Sequence, residues 1–457
     1  MDTHNHLGPV AETYDQLQGL SWLRRVWAQH PVLPATTYST LRRTLQAAEI
    51  GLYGLTDLLD RTTRAVNDSE FEGATTFLRW SLGFHRVLVE LGHTVQQAGV
   101  VDPGDADDTR VGVGDSPAYR DYCAGYASFE AAVQGRLHAG RGELDTLCHF
   151  VLLCDQAALT WEARLRDLAA GGFTFDYLVG PAEIRAMTGE FNLRTPTDLY
   201  QFRVLHQIPE TLGAEMADRI EAAIRAARVG RLPEAVEHLE TCVTLGPVVV
   251  DCIDVLAENL TAPGYHRIRE NLGLTSGSHS VTLHHHLFSD LYPQLADEVF
   301  RVLGAAPDDR AALVEIDRAR FDGPEAWVRS RLLGACMGVR AFVRRWRDAH
   351  LNLPRCNLGG GGTRSLTGSP DAITIVRAWR DRAAREDPLQ PVARARGIPD
   401  AAPPLPLGAR IAAPGSLDAL ILARLGEQTQ RDFPQVQERT GYFAGKCPFQ
   451  RPRPRTV

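Results

Sequence analysis

The sequence predicts an all-α protein. Three observations lead there. Apolar residues recur at spacings of three and four, as in Leu41, Leu45, Ala48, Leu52, Leu55 and Leu59, which lays one buried stripe along a helix. Strand-like runs never exceed five residues. Helix punctuation separates the periodic stretches: Gly171-Gly172 closes one and Pro233 opens another.

Taken in order, residues 1 to about 35 read as irregular, with an aromatic segment from Leu20 to Trp27 that packs on a neighbouring surface. Helices follow at Tyr38–Val66 and Glu70–Gln97. The Asp/Gly-rich stretch near Asp102 is a surface loop, because its carboxylates lack the alternating spacing of a calcium loop. Two more helices fit Ala118–Leu137 and Leu144–Leu168, and Phe173–Gly180 is an extended connector. Long helices then cover Leu199–Arg228 and Leu232–Leu256. One or two helical turns beginning at Tyr265 end at Gly273, and Ser276 is placed to cap the helix after them. Further helices are expected at Leu291–Leu303, Asp309–Phe321 and Pro324–Ala349, the last delivering His350, and at Asp371–Ala384. Asp387–Pro414, rich in proline, alanine and arginine, reads as an extended arm; a helix at Leu417–Arg431 and a basic tail close the chain.

The expected organisation is a helical N-terminal region at 1–180, a helical domain at 190–386 and an arm at 387–457. An internal repeat is visible: Leu45-Gln46-Ala47-Ala48-Glu49 aligns with His206-Gln207-Ile208-Pro209-Glu210, and the apolar rhythm keeps step for about fifty residues. A degenerate duplication explains this, and so does the general likeness of amphipathic helix pairs.

With 457 residues, 44% of them hydrophobic, the chain can build two or three core-forming units. A net charge of −7 offers no footprint for nucleic acid. The absence of a long apolar run argues against a membrane span. A polar N-terminus and eight scattered cysteines without a Cys-x-x-Cys pair point to thiols in a reducing cytoplasm. The run His284-His285-His286 points in successive directions from a helix and does not by itself close a metal site.

The stretch Trp346–Ser369 sets His350 on a helix running into a glycine-rich loop, an arrangement that suits an axial ligand to heme iron. Two other segments join it. Phe202-x-x-x-His206-Gln207-x-x-Glu210 lies on one helix; Tyr265, Arg269 and Leu272 precede Ser276-Gly277-Ser278-His279-Ser280; Trp346-Arg347-x-x-His350 precedes Gly359 and Gly362-Thr363-Arg364-Ser365. In order and spacing these three motifs resemble the tryptophan 2,3-dioxygenase superfamily of heme proteins, over roughly residues 190 to 385. The resemblance implies a helical-bundle heme domain binding heme b, with His350 as the axial iron ligand and His206 as the catalytic histidine above the substrate ring. Phe202 and Tyr265 would clamp that ring, Arg269 would bind the substrate carboxylate, and Thr363 with the glycine loop would hold the amino-acid end. The implied reaction inserts oxygen from O2 into an aromatic amino acid, most simply tryptophan or a derivative. Alternatives are a peroxide-using hydroxylase of the tyrosine type and a non-catalytic heme sensor or carrier. Some relatives attach heme through a cysteine, which makes Cys356 a candidate for a thioether.

The departures favour a specialised, biosynthetic relative. The family's Phe-Gln pair is Ser278-His279 here, its Gln-Tyr-Arg is Thr282-Leu283-His284, and its Gly-Thr-Gly-Gly-Ser loop is reduced to Gly-Thr-Arg-Ser. The extra N-terminal half would replace contacts made by a neighbouring subunit in tetrameric relatives, so a monomer or homodimer is expected.

Overall fold

The computed structural model describes residues 19–20, 24, 37–68, 70–98, 116–136, 179–189, 196–272, 280–306, 309–358 and 371–398. Among these every regular element is helical. The order is α1 (Thr37–Asn67), α2 (Phe71–Ala98), α3 (Pro117–Arg136), α4 (Pro181–Gly189), α5 (Thr197–Arg228), α6 (Leu232–Asn259) and α7 (Ala262–Leu272). A π-helix (Val281–Leu291) runs directly into α8 (Tyr292–Leu303). Then come α9 (Arg310–Arg318), a 3₁₀ turn (Ala319–Phe321), α10 (Pro324–Asn357), α11 (Ala372–Arg385) and α12 (Gln390–Ala395).

Two long hairpins, α1–α2 and α5–α6, form the frame, and α1 lies against α5. The crossing is antiparallel: Thr40 near the start of α1 bonds Glu215 late in α5, while Gln201 early in α5 bonds Asp57 late in α1. Small residues let the helices approach. A β-carbon on Gly54 would stand 2.7 Å from the Phe84 ring and 3.0 Å from Val204. One continuous apolar core extends from Leu20 to Ala395 and takes in residues of both hairpins.

The halves share more than helix count. Gln46 and Gln207, and Glu49 and Glu210, which the sequence alignment pairs, are all buried. In each half a serine-capped helix returns onto the first helix of the hairpin: Ser116 caps α3 against α1, and Ser280 caps the π-helix against α5. Glu49 ties the N-terminal example, its carboxylate accepting from the Ser116 hydroxyl at 2.5 Å and the Ala118 N–H at 3.1 Å.

Several boundaries differ from expectation. α10 runs through Pro354 to Asn357 instead of stopping at Ala349. A proline one turn from a helix end removes a single intrahelical bond, and its own carbonyl still accepts from Leu358 N–H at 2.8 Å. The segment expected to begin an extended arm is folded up to Ile398. The cause is Asp387, whose carboxylate accepts from Arg340 Nε and from the Tyr292 hydroxyl, both at 2.7 Å, while Gln390 accepts from Arg340 Nη2 at 2.5 Å. α4 was not foreseen, nor was the π-helix, capped by Ser280 rather than Ser276. The helices expected at Leu144–Leu168 and Leu417–Arg431, the connector Phe173–Gly180 for all but its last two residues, and the Asp102 loop lie outside the described residues. No helix among the described residues is long and apolar enough to cross a membrane.

The Arg340–Asp387 pair is enclosed on both sides, so removing one partner strands the other. Arg340→Ala is expected to lower the unfolding free energy by about 3–5 kcal/mol in urea titrations, whereas an Arg340→Met/Asp387→Leu double variant should lose much less. Burial also pushes the Glu49 carboxyl up to about 7, against the opposing bonds from Ser116 and Ala118. A carboxyl raised on folding gives its full stabilisation below its unfolded value and loses it as pH rises through the folded one. Glu49→Gln should therefore gain on the wild type by roughly 2–3 kcal/mol between pH 5 and pH 8, read from unfolding curves at the two pH values.

Candidate functional site

The three segments singled out in the sequence come together. Phe202 and His206 lie four residues apart on α5, Tyr265 and Arg269 four apart on α7, and Trp346 and His350 four apart on α10. A spacing of four puts each pair on one helix face. Helix α7 contacts both α5 and α10. Tyr265 packs on the main core and also on a small cluster of Leu351, Leu358 and Ile373, which ties the ends of α10 and α11 to α7.

His206, His350 and Tyr265 are each half-buried, and burial displaces the titration of all three side chains. His206 Nδ1 lies 2.6 Å from the Phe202 carbonyl oxygen; the carbonyl can only accept, so Nδ1 carries the proton and the lone pair is left on Nε2. The imidazole also packs 4.1 Å from the Phe202 ring, centroid to centroid. Pro209, one turn on, has no N–H for the Leu205 carbonyl, so the helix ladder is interrupted beside His206.

On α10 the His350 imidazole is stacked on the Trp346 indole, with centroids 5.0 Å apart and planes inclined by 23°. Burial pushes both histidines down to about 4. For His206 the bond to Phe202 opposes this; for His350 the proximity of His206 adds to it. The two rings, from different helices, are thus close enough to feel each other's charge, and both are neutral at physiological pH. Neutral imidazole is the form that ligates a metal. Burial also raises the Tyr265 phenol to about 12, with the Arg269 guanidinium working the other way, which brings Arg269 to this same side.

Three further rings gather around Trp346 or next to it. His284, on the π-helix, has its ring 6.4 Å from Trp346 and 6.2 Å from Trp379 of α11; Phe288 stands 5.0 Å from Trp346. The run of three histidines suggested solvated or packed rings, and nothing in the sequence linked Trp379 to the site. π-Helical turns occur often at functional sites, and this one sets His284 beside the indole that backs His350.

Thr363, the glycine loop around it and Ser276–His279 lie outside the described residues. Cys356 is exposed near the end of α10; six residues beyond His350, it sits about 9 Å along the axis and about 120° around it. No group of three or more histidine, cysteine, aspartate or glutamate side chains suited to a metal ion occurs among the described residues. Comparison with known proteins returns no matching family model, no matching curated protein and no matching solved structure.

Proposed function

We propose that the chain is a heme-dependent oxygenase acting on the ring of an aromatic amino acid, most simply tryptophan or a derivative. The observation that carries the reading is the placement of two neutral histidines, His206 on α5 and His350 on α10, near enough for the one to act on the other's charge. The reading rests also on the motif resemblance to the tryptophan 2,3-dioxygenase superfamily. The donor set suits the group: one backed imidazole on one side, and on the other an imidazole already bonded through Nδ1 and thus disposed to accept at Nε2.

Bound heme would supply activation of O2 or peroxide. The protein's own residues do the rest. His350 would hold the iron, its ring stacked on the Trp346 indole. Phe202 and Tyr265 give the substrate ring apolar faces, and His206 Nε2 accepts from a ring N–H or hydroxyl. Arg269 pairs with the substrate carboxylate, an interaction strengthened where water is scarce, and Thr363 completes the grip on the amino-acid end. The thioether reading of Cys356 finds no support in its exposed position.

Purified protein should show a Soret band, and His350→Ala should abolish heme retention while leaving the helical circular dichroism unchanged; normal heme content in that variant would refute the ligand assignment. Arg269→Ala should keep heme but weaken tryptophan binding by at least tenfold, the loss expected when a charge-assisted bond of about 1.5–3 kcal/mol is removed. Spectral titration with tryptophan and tyrosine reads this directly. If neither amino acid perturbs the spectrum of the wild type, a sensor or carrier is the better reading. Labelled O2 separates dioxygenation, with two labelled oxygens in the product, from hydroxylation with one.

A further inference from the structure

Four aromatic rings lead from the His350 position to solvent. Trp346 stacks on His350 at 5.0 Å, His284 stands 6.4 Å from Trp346, and Trp379 stands 6.2 Å from His284. Trp346 is buried, at 3% exposure, whereas Trp379 is 39% exposed. Electron tunnelling falls exponentially with distance, so a hop between the two oxidisable indoles, Trp346 and Trp379, bridged by the His284 ring in contact with both, outruns one long step through aliphatic packing.

The two indoles differ in a way that gives the series a direction. Trp346 Nε1 is buried with no hydrogen-bond partner among the described residues. An indole oxidised there keeps its proton for want of a base, so the electron deficiency is not trapped and passes on. At Trp379 water takes the proton.

The outer end is basic in a protein of net charge −7. α11 carries Arg377, Arg380, Arg382 and Arg385 against one carboxylate, Asp381. Arg380 pairs with Asp381 and Asp348, while Arg377 and Arg382 are exposed and have no ion pair among the described residues. Arg355 of α10 feels the charges of Arg377 and Arg380. Exposed indole and arginines together suit an anionic, electron-rich aromatic molecule, the carboxylate meeting guanidinium and the ring meeting Trp379.

We propose that Trp379 is a second, surface site of one-electron oxidation, connected to the iron position through His284 and Trp346 and acting on carboxylated phenols when peroxide is the oxidant. Hydrogen peroxide takes up two electrons and two protons and leaves as two waters. Two phenol molecules each give up one electron and one hydroxyl proton and leave as phenoxyl radicals. Trp379 is the intermediary: it loses an electron and its indole proton inward and to solvent, and recovers both from the phenol.

This inference rests on the heme reading, and its test keeps the two apart. Heme-loaded protein is treated with hydrogen peroxide, frozen and examined by electron paramagnetic resonance, and oxidation of ferulate, a carboxylated phenol, is followed alongside that of uncharged guaiacol. The wild type should give an indole radical signal. Trp379→Leu, a surface change, should keep heme content and the tryptophan-induced spectral shift, lose the radical signal and oxidise ferulate at least tenfold more slowly. Reversing charge with Arg377→Glu/Arg382→Glu should slow ferulate several-fold and leave guaiacol unchanged. A Trp379→Leu protein that shows the same radical and oxidises ferulate at the wild-type rate overturns the relay and leaves the oxygenase reading standing. A preparation without a Soret band overturns both.

Discussion

Everything in the site depends on how α5 is held against α1, and that is decided by one buried carboxylate. Glu215 Oε1 accepts from the Ser39 hydroxyl at 2.9 Å, the Thr40 hydroxyl at 2.6 Å and Arg219 Nε at 2.9 Å. Arg219 reaches on to Thr40 Oγ1 at 2.6 Å and to His238 Nδ1 at 3.0 Å. A charge removed from water is costly unless its bonds are made, so sliding α1 along α5 by a turn would strand Glu215. The network therefore sets register, and register sets which face of α5 is left for other work. His206 lies nine residues before Glu215, two and a half turns away and thus on the opposite side of the helix. Gly213 stands seven residues after His206, on its side, and there the π-helix approaches so closely that a β-carbon would meet Leu283 at 2.6 Å. The face bonded to α1 and the face offered to the site are two sides of one helix.

What could be read from the sequence follows from this geometry. The long helices were legible because each buries one stripe, and a stripe at spacings of three and four survives in the sequence however the helices pack. The pairs Phe202/His206, Tyr265/Arg269 and Trp346/His350 were singled out by the motif resemblance, and their spacing of four then puts each pair on one helix face. Three things had no local signal. The π-helix advances by a different angle per residue, so the α-helical stripe loses phase across His284-His285-His286. α10 continues past Pro354 because its last turn tolerates the loss of one bond, which a proline in a sequence does not announce. The Asp387 segment reads as a linker by composition and is folded by Arg340, forty-seven residues earlier. Only the three-dimensional pairing makes that aspartate a structural residue.

The two half-buried histidines carry an energetic argument of their own. A buried imidazole placed for packing alone would bond both ring nitrogens, as His85 approaches with Ser81 at 2.7 Å and Tyr122 at 3.4 Å. Among the described residues His206 bonds the protein through Nδ1 alone, and His350 has a stacking partner and no hydrogen bond to its ring. Burial keeps both uncharged, so neither demands an anion. Two imidazoles with ring nitrogens left over are a local inconsistency that packing alone does not account for.

The two hairpins differ at the positions that the sequence repeat pairs with the site. Aligned by the repeat, the positions of Phe202 and His206 in the N-terminal half are Leu41 and Leu45, both 4% exposed within the continuous core. Phe202 is buried like its counterpart Leu41, so the difference falls on His206, where leucine in the N-terminal half leaves no polar atom in need of a partner. The buried pairs Gln46/Gln207 and Glu49/Glu210 occur on both sides. The N-terminal hairpin holds α5 in register through the Glu215 network.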